Sequence, residues 1–197
     1  LSAGEESRMI VGRWVTNRDD VAHEKERGQH RFIFSRIGII KILQILIRKM
    51  GLCLSPIENF QKRINKIPAT DRVQFTFPIT DYDLSLHPFV QDADILHLHW
   101  VAGFLDYTTF FQKVKKPVVW TMHDLNAFYG GCHLKIDTTN IYYQALEKEF
   151  CRIKEYAITG IDQLHLVALS NEMRELMRHH EWYKGRPIHK LGNIVNP

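Results

Sequence analysis

Apolar and polar positions along this chain switch between two periods, and the switches mark out its elements. Residues 8–16, with Met9, Ile10, Val11, Trp14 and Val15, read as a strand. The charged run 17–29 reads as a solvated loop or frayed helix. Residues 37–50 form the most apolar helical pattern; Lys41, Gln44 and Arg48 recur at i, i+3 and i+7 as one narrow polar stripe. Gly51 ends that helix, Ser55-Pro56 opens a second over 57–67, and Pro68 closes it, so the pair predicts a helical hairpin. Over 71–79, Val73, Phe75 and Phe77 alternate with Arg72, Gln74 and Thr76, the pattern of a half-buried strand. Residues 80–92 read as a loop leading to a short helix.

From there strands and helices take turns. The pattern predicts a strand over 95–100, a helix over 104–114 and a strand over 117–122, together a βαβ unit with a right-handed crossover. A helix over 140–158, a strand over 165–170, a helix over 171–180 capped by Ser170, and a strand over 187–191 follow. The runs Ile95–Leu98 and Val118–Thr121 are nearly continuous in apolar residues, which predicts strands buried on both faces. The expected fold is α/β: a Rossmann-like parallel sheet flanked by helices, with the helical hairpin as an insertion.

Composition narrows this only a little. At 197 residues, 45% apolar and 24% charged, the chain has the make-up of one globular domain with a full core. A formal charge of +4 is too small to argue for nucleic acid, although it suits anionic ligands or an anionic membrane surface. The three cysteines, Cys53, Cys132 and Cys151, are odd in number and without paired spacing, which fits a reducing cytoplasm better than a disulfide scaffold. No stretch reaches the length of a membrane span. The opening residues read as a helix end and turn, and 189–197 as a strand running into a linker, so the chain reads as part of a larger protein.

The candidate chemistry gathers at predicted strand ends. In open α/β sheets, ligands bind outside the carboxyl ends of the strands, where His99, Trp100, His123 and Asp124 are expected. The His123 imidazole could donate to a sugar hydroxyl or steady developing charge. Asp124 could orient that imidazole or cap the turn after it. Gly130 and Gly131 allow a ligand close to the main chain or make a simple turn. Trp100, Phe128 and Tyr129 could stack on a sugar or cover the sheet edge. His97 and His99, two apart on one strand, have a spacing that metal sites use, with His123, Asp124, Cys132 and His133 as further ligands. The alternative packs His97 inside the sheet and leaves only His99 at the surface. The helix over 37–50, with Arg36 and Lys49 at its ends, could lie in a membrane interface or be buried in its own domain.

Several of these runs together resemble a known family. Leu86-His87-Pro88-Phe89-Val90, Ala93-Asp94-Ile95-Leu96-His97-Leu98-His99-Trp100 and Gly103-Phe104-Leu105 are similar to a segment of bacterial family-4 glycosyltransferases. So are Lys116-Pro117-Val118-Val119-Trp120-Thr121-Met122-His123-Asp124 and Phe128-Tyr129-Gly130-Gly131-Cys132-His133. The resemblance is close over 84–133 and looser from Arg8 onward. It implies a GT-B architecture, two Rossmann-like domains around a cleft, with residues 1–197 as the N-terminal, acceptor-side domain. Residues 191–197 would begin the interdomain linker, and the C-terminal nucleotide-binding domain would lie outside the sequence. It implies transfer from a nucleotide-sugar donor to a glycan or lipid-linked acceptor, without metal or other cofactor, in surface-polysaccharide biosynthesis. The site would be cytoplasmic, with peripheral inner-membrane contact through 36–50. His123 would face the donor sugar, with Asp124 beside it; His99, Trp100, Gly130, Gly131 and His133 would line the substrate side. The family's Gly-rich first loop has no counterpart here, and Leu134–Asn140 lacks the further cysteines of many relatives. A metal-dependent hydrolase built on His97, His99 and His123 and a non-catalytic binding domain remain as rival expectations.

Overall fold

The computed structural model describes residues 7–11, 21–23 and 56–192. The predicted apolar helix over 37–50, the first arm of the hairpin, the membrane contact at 36–50, and most of the segment 12–29 lie outside the described residues, as do 193–197. Near the start, β1 (Met9–Val11) and β2 (Val21–His23) pair in parallel as a separate two-stranded ladder. The run 17–29, expected as a loop or frayed helix, therefore contains a short strand.

The main sheet is built from β3 (Leu96–Leu98), β4 (Val118–Met122), β5 (Leu164–Ala168) and β6 (Ile188–Lys190). All three pairings are parallel and the order is β3-β4-β5-β6. The helices are α1 (Pro56–Asn65), α2 (Pro88–Asp92), α3 (Tyr107–Lys113), α4 (Gln144–Thr159) and α5 (Asn171–His179). Local chemistry sets their starts. Asp106 caps α3 by accepting from Thr109 N at 2.9 Å, His87 Nδ1 accepts from Phe89 N at 3.1 Å ahead of Pro88, and Ser170 caps α5 through Met173 N at 3.1 Å.

Strand order and handedness decide which face is covered. Each right-handed crossover moves one strand further in the same direction, so α3, α4 and α5 all pack on one side of the sheet. On that side Leu96, Leu98, Val118, Trp120, Met122, Leu164, Leu166 and Ala168 are buried. The Trp120 ring meets Tyr107 and Phe111 of α3 at 6.1 and 6.3 Å and Tyr183 at 6.4 Å. The other face shows His97, His165 and His189, all exposed, with Val119 half-buried between them. The expectation that β3 is buried on both faces is therefore corrected: it alternates buried, exposed, buried. The alternative that packed His97 inside the sheet falls with it.

The half-buried strand expected over 71–79 does not form. Its alternation is real, but the segment runs as an extended strap with one antiparallel bridge, Phe75 to Cys132. Phe75 and Phe77 turn toward helices instead of a sheet. Phe75 lies 4.8 Å from Tyr143 and 5.8 Å from Phe150, and Phe77 lies 5.8 Å from both Phe60 and Phe150. This aromatic cluster fastens α1 to α4, and Pro78, which lacks an N–H, ends any ladder there. Period-two patterning tells that one side of an extended segment is apolar, not what covers it.

Candidate functional site

The carboxyl ends of β3 and β4 lie side by side, because Leu98 is in register with Trp120. The chain then carries His99 and His123 out of the sheet on the same face. Their rings meet, with His99 Nδ1 and His123 Nε2 3.0 Å apart and both side chains exposed. His97 stands behind, its ring centroid 4.2 Å from that of His99 and its Nε2 2.8 Å from Thr121 Oγ1. The three imidazoles form a ladder along the strand end. Burial first, and then the neighbouring imidazoles, lower the pKa of His99 below the usual histidine value. His97 is lowered the same way, by burial and then by His123. Neutral rings are favoured at both, which leaves lone pairs available for hydrogen bonds or ligation.

Trp100, 61% exposed, offers an open indole face beside this pair, and its ring stands edge-on to His133 at 6.3 Å. A shallow hollow between the two strand ends, lined by His99, Trp100, Tyr107, His123, Asp124 and Asn126, holds about 10 Å³, room for roughly one water. A larger groove of about 400 Å³ lies between α1 and the strap, lined by Ile57, Ile64, Phe75, Phe77, Tyr82 and Gly103. Thr76, also on its wall, accepts or donates at 2.7 Å with His133 Nε2 and so links groove and site.

The remaining candidates serve the scaffold. One oxygen of Asp124 accepts from Asn126 N at 3.0 Å, capping the short turn Leu125–Phe128; the other pairs with His133 Nδ1 at 2.8 Å. Both oxygens are thus engaged away from the His123 ring. Burial opposes ionisation of Asp124, but the bonds from His133 and Asn126 N outweigh it and hold its pKa below the usual value. His133 is buried between Asp124 and Thr76 and faces no open space. Gly130 and Gly131 are buried too, and their N–H groups are already bonded within the chain.

Their partner is Glu147 on α4, a residue not singled out in the sequence. Its carboxylate accepts from Gly130 N at 2.5 Å, Gly131 N at 2.7 Å and Cys132 N at 3.1 Å. The backbone concavity that could cradle a ligand anion is filled from inside. A Cβ on Gly130 would sit 2.3 Å from the Glu147 carbonyl oxygen, and one on Gly131 would sit 2.5 Å from the Phe75 ring. The two glycines are there because helix and strap press against them.

Lys154, fully buried one turn-pair further along α4, completes the brace. Its Nζ donates to Asn126 O at 2.7 Å, Asn126 Oδ1 at 3.0 Å and Tyr129 O at 2.9 Å, and lies 5.2 Å above the Tyr107 ring. Burial pulls its pKa down to about 7, against the pull of Glu147. Asn126 Nδ2 in turn donates to Gly131 O and Cys132 O at 3.0 and 3.1 Å. A signal for this brace was present: Glu147 and Lys154 are seven apart, in the helical stripe that also holds Phe150, Cys151 and Ile158. Charges inside an apolar stripe need buried partners.

Among the described residues no group of three or more His, Cys, Asp or Glu side chains is placed to hold a metal ion. The thiols of Cys132 and Cys151 are pushed up by burial and by Glu147, that of Cys151 to about 12, so neither is a ready nucleophile. No helix among the described residues is long and apolar enough to cross a membrane. No protein-family model, curated protein or solved structure matches the chain.

Proposed function

We propose that this chain is the acceptor-side half of a retaining GT-B glycosyltransferase, moving a sugar from a nucleotide-sugar donor to a glycan or lipid-linked acceptor in bacterial surface-polysaccharide assembly at the cytoplasmic side of the membrane. The observation that carries the reading is the exposed His99–His123 pair at the adjoining carboxyl ends of two parallel strands. In this reading His123 donates to the donor sugar and steadies charge as the phosphate departs. His99 fixes the orientation of the His123 ring from 3.0 Å, and the Trp100 indole stacks on a sugar face. Asp124, His133, Gly130 and Gly131 hold the loop that follows β4 and touch no substrate. The apolar groove beside Thr76 has the lining to take the aliphatic part of a lipid-linked acceptor. Rate enhancement in such a site comes from holding the two substrates together and stabilising the leaving phosphate.

The test is sugar transfer by the full-length protein, assayed with a panel of nucleotide-sugars and lipid-extract acceptors. His123→Ala should lower kcat about 100-fold or more, the loss typical of removing one charge-stabilising donor. His99→Gln should lower it less. Transfer that survives His123→Ala unchanged, or a full-length protein that transfers from no nucleotide-sugar, refutes the proposal.

A further inference from the structure

The one-sided helical layer has a second consequence. Five histidines share the sheet face opposite α3, α4 and α5, where Val119 is half-buried and Thr121 and Val167 are buried. His97, Val119 and His165 are in register across β3, β4 and β5, and Val167 is in register with His189 on β6. His99 and His123 continue the same face past the strand ends. They form two cross-strand couples, His99 with His123 and His165 with His189, whose nearest ring nitrogens are 3.0 and 3.2 Å apart. All four side chains are exposed.

We propose that this face takes two divalent transition-metal ions of the borderline class (Cu2+, Ni2+ or Zn2+), one chelated by His99 and His123 and one by His165 and His189. The separations fit. Two imidazole nitrogens bound at about 2.0–2.1 Å to one ion stand about 3.3 Å apart at a tetrahedral angle and about 2.9 Å apart at a right angle. Both observed distances fall in that span; the rings face each other nitrogen to nitrogen, with centroids 5.3 and 5.5 Å apart, and these exposed side chains turn onto the ion as it enters. Each neutral ring carries one N–H; the ring that donates within a couple shifts its proton to its outer nitrogen, and two lone pairs then converge on the ion. No proton is released and no electron moves. Imidazole is a preferred donor for these metals. Two protein ligands make an exchangeable site whose shell solvent completes, in contrast to a closed structural centre. His97, whose Nε2 is engaged by Thr121, buttresses the His99 ring from 4.2 Å and adds no ligand.

The first couple is shared with the proposed sugar-transfer site and the second is not, and ion binding at both is measured with no sugar present. NiCl2 and CuCl2 serve as probes, followed by calorimetry and native mass spectrometry on the protein and on two double variants, H99Q/H123Q and H165Q/H189Q. Each double variant should bind one ion fewer than the parent, and the fourfold variant two fewer. An unchanged count in either double variant overturns the assignment for that couple. The parent protein gives a second readout that needs no mutation: the electron paramagnetic resonance of bound Cu2+ should show coupling to two imidazole nitrogens per ion. Coupling to a single nitrogen overturns chelation.

Discussion

Replacing Glu147 with alanine tests the brace behind the site most directly. The side chain is 8% exposed and its carboxylate accepts three backbone N–H groups, from Gly130, Gly131 and Cys132. Truncation leaves all three without an acceptor in a region helix and strap have closed to water. Each orphaned buried donor costs about 1–3 kcal/mol, so the three together set a loss of roughly 3 kcal/mol or more. Lys154 simultaneously loses the carboxylate that most favours its charged form. Breaking a buried charged arrangement by removing one side costs about 3–5 kcal/mol, and the two routes to the number agree. With a urea dependence of about 2–3 kcal/mol per molar, the unfolding midpoint should drop by roughly 1–2 M. Glu147→Gln keeps one carbonyl oxygen for the nest and should fall between the parent and Glu147→Ala. Urea titrations followed by tryptophan fluorescence measure all three proteins. A loss below about 1 kcal/mol for Glu147→Ala would mean water or a neighbouring group satisfies those amides, and the brace would not exist as described.

Gly131→Ala drives a methyl group to within 2.5 Å of the Phe75 ring and should cost about 1–3 kcal/mol; Phe75→Leu introduced with it should recover part of that loss, which the same urea titration reads. A pair of substitutions showing no coupling would contradict the close approach. Stability should also fall in mild acid. His97 and His99 have folded pKa values below the unfolded value, so their contribution is complete above the unfolded pKa near 6.5 and is lost as pH falls below it, when the unfolded chain binds protons first. A series of unfolding midpoints from pH 7.5 to pH 5 should slope downward, and the slope should lessen in His97→Gln; an unchanged slope refutes the cause assigned here.

Much of the architecture was legible in the chain itself. The strand patterns over 95–100, 117–122 and 165–170, separated by amphipathic stretches, are enough to specify a parallel α/β sheet, since a parallel strand must be followed by a crossover, and the observed strands fall at 96–98, 118–122 and 164–168. Placement of His99 and His123 at neighbouring strand ends follows from the same pattern plus register. The caps Asp124 and Ser170 are local events, so residue type and position foretell them; the helix expected from 104 instead starts after its cap, Asp106. What the sequence left open are matters of which surface meets which. The strap at 71–79 has the period of a strand, yet its phenylalanines found helices. Gly130 and Gly131 have the composition of a ligand cradle, yet a carboxylate from 16 or 17 residues away fills it. Asp124 stood next to His123 in the chain and turned to His133 instead. Periodicity reports the polarity of a face, and residue type reports what a group can bond. Only the packing of distant segments selects, among chemically equivalent partners, the one within 3 Å.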